Sequence, residues 1–222
     1  MTTEAATDWD LRLFWGKTTE LPERFHPAIY HLYDVGHVAR SLLGRRGSAR
    51  FTRTLGAALG SDAAMLQDWL PFWVALHDIG KLSGAFQRKA PEHMTRLADL
   101  GVPFGTDPGK LGHHTLVGSI WLKGFWPRMA AGDARWQKVV RTAIEGHHGR
   151  FPAAGELNGA SQRLLSEPAI WQQLRLQGLQ ALETAFGMAS RMPALTIENL
   201  TAGAALLTGF TVLCDWIGSD AI

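Results

Sequence analysis

Apolar residues recur at intervals of three and four along most of the chain, the spacing of one face of an α-helix. Strict alternation of apolar and polar residues, which marks half-buried strands, is rare. The pattern therefore predicts an all-α protein. The predicted helices cover 28–43, 69–79, 114–125, 134–145, 164–187 with an interruption, and 197–217.

Glycine and proline indicate where some of these helices begin and end. Gly44 follows the first apolar stripe, at the place of a helix C-terminus. Pro71 is predicted near the start of the second helix and Gly80 at its end. No internal repeat or domain boundary is evident, so we expect one domain over 1–222, with 1–10 as a flexible tail.

The composition is that of an ordinary globular protein, with 46% hydrophobic and 19% charged residues. The single cysteine, Cys214, excludes an intramolecular disulfide and a cysteine-cluster metal site. The N-terminus lacks the basic and apolar regions of a signal peptide, so we expect a cytoplasmic protein. The apolar run 199–214 is too short to span a membrane and predicts a buried core helix.

The net charge of +2 says little about partners, but the basic residues are unevenly distributed. Residues 35–61 carry five arginines and no acid, namely Arg40, Arg45, Arg46, Arg50 and Arg53. Such a stretch either contacts phosphates or forms a solvated loop, and the sequence favours neither.

The placement of histidine and aspartate distinguishes this chain from a generic helical domain. His31 lies on the apolar stripe of the first helix, so its side chain is expected to point inward. Other ionisable residues lie at the ends of apolar segments or within the apolar C-terminal helix, namely His77 and Asp78, His113 and His114, His147 and His148, and Asp215. Either each has its own buried hydrogen-bond partner, or one metal centre holds them together. Imidazoles and carboxylates without thiolate suit a first-row cation such as iron, manganese, cobalt, nickel or zinc.

Six short blocks follow one another along the chain: Trp15-Gly-Lys17, His26-Pro27, 30–35, 75–81 with 85–87, 146–149 and 213–219. Their order resembles the HD superfamily of metal-dependent phosphohydrolases. More narrowly, it is similar to the HD nuclease domain of the CRISPR-associated helicase-nuclease that degrades DNA in type I interference. The resemblance extends from about residue 13 to the C-terminus.

The resemblance implies a compact helical domain with a buried site for two divalent transition-metal ions. The first ion would be held by His31, His77, Asp78 and Asp215, and the second by His114, His147 and His148, with Asp78 able to bridge. His114 is preferred to His113 because family members carry a small residue four positions on, where this chain has Gly118. Two such cations can activate a bridging water and stabilise an attacked phosphate.

Asp78 and Lys81, one turn further on, are the candidate catalytic residues. Lys81 could reach a non-bridging phosphate oxygen, or it could be a solvent-exposed lysine at a helix end. Ser83 and Gln87 are weaker candidates. Gly16-Lys17-Thr18 resembles the end of a phosphate-binding P-loop, but the required earlier glycine is replaced by Leu11, so no ATP site is expected.

These observations predict a metal-dependent nuclease that acts on single-stranded DNA, with a helicase domain or subunit and the CRISPR surveillance complex as partners. We expect a monomer with no membrane association, which is either a separately encoded subunit or an excised domain. Two alternatives remain open: a phosphohydrolase of nucleotides or cyclic nucleotides, which would use the same ligands, and a catalytically silent binding module.

The tryptophans permit a second set of predictions. Trp73, Trp121 and Trp216 fall on apolar helix faces and are predicted to lie in the core. Trp126 and Trp136 either pack in the core, which is favoured, or stack on unpaired bases beside neighbouring basic residues. Those neighbours are Arg128, Arg135 and Lys138.

Overall fold

The computed structural model describes residues 9–18, 24–44, 47–105, 113–126, 134–187 and 193–220, and these are predominantly helical, as predicted. The α-helices are α1 Ala28–Leu43, α2 Ala49–Leu59, α3 Leu66–Ala75, α4 Gly84–Gln87, α5 Pro91–Asp99, α6 His114–Phe125, α7 Ala134–Gly146, α8 Ala154–Leu164, α9 Ala169–Phe186 and α10 Leu200–Asp220. Short 3-10 helices cover Leu11–Leu13, Ala63–Met65 and Leu76–Lys81. Of the predicted tail, residues 1–8 lie outside the described residues.

The helices pack around one hydrophobic core. Helix α1 packs against α3 and α10, and α10 also packs against α7. Helix α6 lies against the 3-10 helix Leu76–Lys81 and against α7. The core is dominated by large apolar side chains that are fully buried, including Trp69, Trp136, Trp171 and Phe72. This packing brings parts of α1, α6, α7 and α10 to the 3-10 helix.

Two short antiparallel strands, β1 Trp15–Thr18 and β2 Phe25–Pro27, were not predicted. Runs of four and three residues are too short for their alternation to stand out in the sequence. The hairpin lies directly on the start of α1, because a Cβ added at Gly16 would be 2.7 Å from the Cα of Ala28. A larger residue at this position would separate the hairpin from α1.

The bounds predicted for the second helix, 69–79, are wrong at both ends. It begins at Leu66 rather than 69, so that Pro71 lies in its second turn. After Ala75 the chain tightens into the 3-10 helix, in which Asp78 departs from helical geometry with φ −110° and ψ 17°. Gly80 does not end a helix there. Its role is close packing, since a Cβ at Gly80 would lie 1.9 Å from the backbone oxygen of His114 in α6.

Other bounds differ from the predictions in ways that local chemistry explains. Helix α2 occupies part of the arginine-rich stretch, and the Ser48 side chain caps it by accepting a hydrogen bond from the Phe51 N–H. The predicted helix 164–187 corresponds to α9 alone, and α8, which ends at Leu164, was not predicted. Helix α9 ends at Phe186 and is capped by Gly187, which adopts the left-handed conformation with φ 69°.

Helix α10 extends to Asp220 and is long and apolar enough to cross a membrane by length and composition alone, so the prediction that this segment is too short is wrong. Core helices of globular proteins share these properties. In this structure α10 packs against α1, α2 and α7. Its buried side includes Leu207, Phe210 and Cys214.

The tryptophan predictions are confirmed with one exception. Trp73 and Trp121 are buried, and so are Trp126 and Trp136, which excludes base stacking by either of the latter two in this conformation. Trp216 is 71% exposed, so its prediction as a core residue is wrong. It follows Cys214 by two residues and therefore lies on the opposite side of α10 from that buried residue.

Candidate metal centre

The 3-10 helix Leu76–Lys81 brings two adjacent ionisable side chains into the interior. In a regular α-helix neighbouring side chains diverge by about 100°. The non-helical backbone of Asp78 removes this constraint, and both His77 and Asp78 are essentially inaccessible to solvent. The segment thus carries a histidine and a carboxylate into one buried cluster.

A first group of ligand atoms lies between the 3-10 helix, α1 and α10. His31 Nε2 is 3.1 Å from Asp78 Oδ2 and 3.2 Å from Asp215 Oδ1. His77 Nε2 is 3.4 Å from Asp78 Oδ2 and 3.6 Å from Asp215 Oδ1. All four ligand atoms lie within 4.8 Å of one another, which is close enough for one cation to contact them all.

A second group lies on the other side of Asp78, between α6 and the C-terminal end of α7. His114 Nε2 is 2.9 Å and His147 Nε2 3.3 Å from Asp78 Oδ1. His148 Nε2 is 3.1 Å from His114 Nε2. The two oxygens of Asp78 therefore face different groups, so a single carboxylate joins the two. His148 is exposed, whereas the first group is largely buried.

The hydrogen bonds of the histidines fit a bound cation. His77 Nδ1 lies 3.1 Å from the Val74 carbonyl oxygen, and His147 Nδ1 lies 2.8 Å from that of Ile144. A carbonyl can only accept, so each Nδ1 carries a proton, and Nε2 is the ring nitrogen that can bind a cation once it is deprotonated. Both Nε2 atoms and Asp78 Oδ1 are buried without a hydrogen bond. A divalent cation would satisfy these acceptors.

Charges within the cluster shift several pKa values. Burial opposes ionisation of Asp78, but Lys81, His77 and His114 hold the pKa of Asp78 well below its usual value. Burial alone would lower the pKa of His77, yet the Asp78 and Asp215 carboxylates raise it to about 9. Burial lowers the pKa of His114 to about 3, although Asp78 opposes that shift. At neutral pH His114 is therefore neutral, as a metal ligand must be, while His77 is protonated in the metal-free protein.

We predict that the affinity for Mn²⁺ rises with pH up to about pH 9, because the cation must displace the proton of His77. One displaced proton corresponds to a change of about tenfold per pH unit. Isothermal titration calorimetry in buffers of different ionisation enthalpy would measure both the affinity and the released proton. The exposed residue His37 offers a control, since His37→Gln should leave both unchanged. Affinity that is constant from pH 6.5 to 9 would contradict the prediction.

Lys81 is nearly buried, which excludes the solvent-exposed alternative. Its Nζ lies 2.7 Å from Asp78 Oδ2. The backbone of Lys81 is held in place because its carbonyl oxygen accepts a hydrogen bond from Gln87 Nε2 at 3.0 Å. Lys81 is thus an ammonium fixed at the edge of the cluster.

The remaining predicted residues lie outside the two groups. His113 precedes α6, and its Nδ1 is 3.3 Å from Thr115 Oγ1. Ser83 donates to the Gly80 carbonyl oxygen at 2.7 Å and accepts from the Phe86 N–H. Gln87 bonds the backbone of Trp15 at both ends of its side-chain amide. Ser83 and Gln87 therefore position the backbone around the cluster and do not face it.

Arg40, the first arginine of the arginine-rich stretch, is remote from the cluster, and Arg45 and Arg46 lie outside the described residues. Arg40 lies nine residues beyond His31 on α1, about 13 Å along the helix axis. Its guanidinium packs over the Phe186 ring, 4.8 Å from the centroid, and donates to carbonyl oxygens at the end of α9. Arg40 therefore has a structural partner.

A family model described as the HD domain of Cas3 matches residues 15–222. Two curated proteins named CRISPR-associated endonuclease/helicase Cas3 are similar to the chain. The protein from Thermus thermophilus is 29% identical over 206 residues, covering 88% of this chain and 21% of that protein. The protein from Escherichia coli K12 is 27% identical over 232 residues, covering 93% of this chain and 25% of that protein. The chain thus spans no more than a quarter of these relatives.

Solved structures share the fold. A crystal structure of a CRISPR-associated protein superposes with a TM-score of 0.78 at 26% identity, covering 95% of this chain and 23% of that one. The HD domain of Thermus thermophilus Cas3, crystallised in the presence of Ni²⁺, gives a TM-score of 0.65 at 21% identity and covers 94% of this chain and 76% of that one.

Proposed function

Because this chain belongs to the family of Cas3 HD domains, we propose that it is a metal-dependent nuclease that hydrolyses phosphodiester bonds of single-stranded DNA in type I CRISPR interference. The observation that carries the proposal is the pair of histidine and aspartate groups that share Asp78. Such a pair suits two divalent cations, which in many phosphodiesterases are joined by a carboxylate.

Each of the two groups of side chains would hold one metal ion. His31, His77, Asp78 and Asp215 would hold the first, and Asp78, His114, His147 and His148 the second. When bound, two divalent cations supply a nucleophilic water and stabilise charge on the phosphate. Two aspartates cannot neutralise two dications, and the imidazoles that ligate are neutral, so the site would attract an anion. Iron, manganese, cobalt, nickel and zinc all suit these ligands.

The protein's own residues define how a phosphate would approach. The first group is buried under α1 and α10, whereas His148 of the second is exposed. A diester would therefore enter from the His148 side. The Lys81 ammonium, fixed on Asp78, would donate a hydrogen bond to a non-bridging oxygen and keep Asp78 ionised.

We predict that Lys81→Met lowers the turnover of single-stranded DNA about 100-fold but leaves two metal ions bound. Lysine donates to the substrate in this proposal and does not ligate, whereas methionine preserves the buried volume. Steady-state cleavage rates and the metal content by elemental analysis measure the two effects. Loss of metal together with activity would assign Lys81 to the ligand shell instead.

The proposal also covers the location, the oligomeric state and the partners of the domain. We propose a single cytoplasmic domain over 1–222 that acts as a monomer with a helicase domain or subunit and the CRISPR surveillance complex. The names of the curated relatives, which join an endonuclease to a helicase, support the helicase partner. ATP would act on that partner and not on this chain.

A direct assay distinguishes the proposed nuclease function from the alternative function, a phosphohydrolase of nucleotides or cyclic nucleotides. Protein supplied with Mn²⁺ or Ni²⁺ is incubated with a single-stranded oligonucleotide and, separately, with a panel of nucleotides and cyclic nucleotides. We expect cleavage of the oligonucleotide and little turnover of the panel. Activity on the panel alone would replace the nuclease by a nucleotide phosphohydrolase, and a folded, metal-loaded protein without either activity would favour a binding module.

A further inference from the structure

Two lysines outside the metal groups lie beside the Asp78 cluster. Lys17 is on β1, and the charges of Asp215, Asp78 and Lys81 all act on its ammonium. Lys89 follows α4, and the charges of Lys81 and Asp78 act on it in the same way. Both ammoniums are therefore part of the electrostatic surroundings of the centre. We call Lys17 and Lys89 the lysine flank.

Aromatic packing fixes the lysine flank relative to the centre. The Trp15 indole stacks on the Phe86 ring with centroids 4.3 Å apart, and Phe86 contacts the His114 ring at 5.3 Å. Lys89 Nζ lies 5.1 Å from the centroid of the same Phe86 ring. Lys17 is two residues beyond Trp15 on β1. The aromatic stack thus connects Lys89 to a proposed metal ligand, and β1 joins Lys17 to the Trp15 end of the same stack.

Lys17 is half-buried and Lys89 is exposed, and the lysine flank has no counter-ion within the part of the chain that the structure describes. Neither lysine forms an ion pair with any of the residues that the structure describes. Burial lowers the pKa of Lys17 and of Lys89, and the neighbouring Lys81 adds to both shifts. A half-buried ammonium without a partner, such as that of Lys17, is costly, and an anion that pairs with it removes that cost.

We infer that Lys17 and Lys89 bind phosphates of the DNA strand that flank the scissile phosphate. This inference rests on the proposed function. Beside the flank, Thr18 and the segment 89–93 line a pocket of about 290 Å³, which gives the strand room to continue. Glu92 also lines this pocket, so the phosphate contacts fall on its lysine side. A mononucleotide or a small diester would occupy the centre without reaching the flank.

The test compares a substrate that reaches the flank with one that does not. Lys17→Gln and Lys89→Gln are assayed on a short single-stranded oligonucleotide and on bis(p-nitrophenyl) phosphate, a single diester. Each variant should raise KM for the oligonucleotide roughly fivefold and leave KM for the small diester unchanged. Lys17→Arg should restore most of the binding. Lys123→Gln, about 13 Å along α6 from His114, is the matched control and should change neither value.

Binding without cleavage provides a second readout. In the presence of EDTA, fluorescence anisotropy with the same oligonucleotide measures the salt dependence of the affinity. Each lost phosphate contact should reduce the slope of log K against log salt by about 0.7. Circular dichroism checks that the variants are folded.

The results distinguish a failure of this inference from a failure of the proposed function. If the wild type cleaves the oligonucleotide and both glutamine variants match it in KM and salt slope, the lysine flank does not contact DNA, and the proposed nuclease stands. A KM that rises equally for both substrates indicates a structural role and also overturns the inference. If the wild type hydrolyses the small diester but neither binds nor cleaves the oligonucleotide, the proposed DNA substrate fails and the inference fails with it.

Discussion

Replacing Asp78 with asparagine is expected to reduce cleavage of single-stranded DNA by on the order of 1000-fold or more. The reason is geometric: Asp78 Oδ2 faces His31 and His77, while Asp78 Oδ1 faces His114 and His147. An amide has the same shape but no charge, and its NH₂ group would point at one of the two groups. Both proposed ion positions are therefore affected by one substitution.

The measurement is the cleavage rate at saturating Mn²⁺, with the metal content determined in parallel. Asp78→Asn should lose metal as well as activity, and Asp78→Ala should do the same. Asp68→Asn, an exposed aspartate near the start of α3, is the matched control and should keep full activity. Cleavage that persists in both Asp78 variants would point to another active site or to a contaminating nuclease.

The second large effect concerns the contact between the 3-10 helix and α6. Gly80→Ala is expected to lower the free energy of unfolding by about 3 kcal/mol. The added Cβ would lie 1.9 Å from the His114 carbonyl oxygen and 2.7 Å from the Gly118 N, and both are backbone atoms. Neither can move without displacing α6, and with it the His114 side chain.

Urea-induced unfolding measures this change in stability. Gly124→Ala is a matched control on the same helix, where an added Cβ meets nothing within 4 Å, and it should be neutral or stabilising by up to about 1 kcal/mol. The Gly80 variant should also bind metal more weakly because His114 moves away from Asp78. A Gly80→Ala protein as stable as the wild type would show that α6 does not approach the 3-10 helix as closely as described.

The sequence predicted long, regular elements well. The bounds of α1 and α6 match the predictions, because each helix has a continuous apolar stripe and a clear boundary residue such as Gly44. The all-α class and membership of the HD family are confirmed. Short or irregular elements were missed. The β1–β2 hairpin is too short to show a period, and the change to a 3-10 helix at Leu76 has no compositional signal.

The sequence likewise predicted part of the candidate site and missed the rest. The histidine and aspartate positions, together with the family resemblance, indicated which side chains would converge. Their detailed arrangement depends on packing that the sequence does not display. The burial of Lys81 accompanies the ion pair of its ammonium with Asp78, and the two-sided use of Asp78 follows from a non-helical backbone. The exposure of Trp216 depends on what packs against α10, which an apolar residue type cannot reveal.

The central claim is that five histidines and two aspartates hold two cations joined by Asp78. Anomalous diffraction from crystals grown with Mn²⁺ tests it most directly. We predict two anomalous peaks about 3.5 to 4 Å apart, one beside His31, His77 and Asp215 and the other beside His114, His147 and His148. Crystals saturated with Mn²⁺ that show no peak at these residues, or peaks only elsewhere on the protein, would contradict the claim.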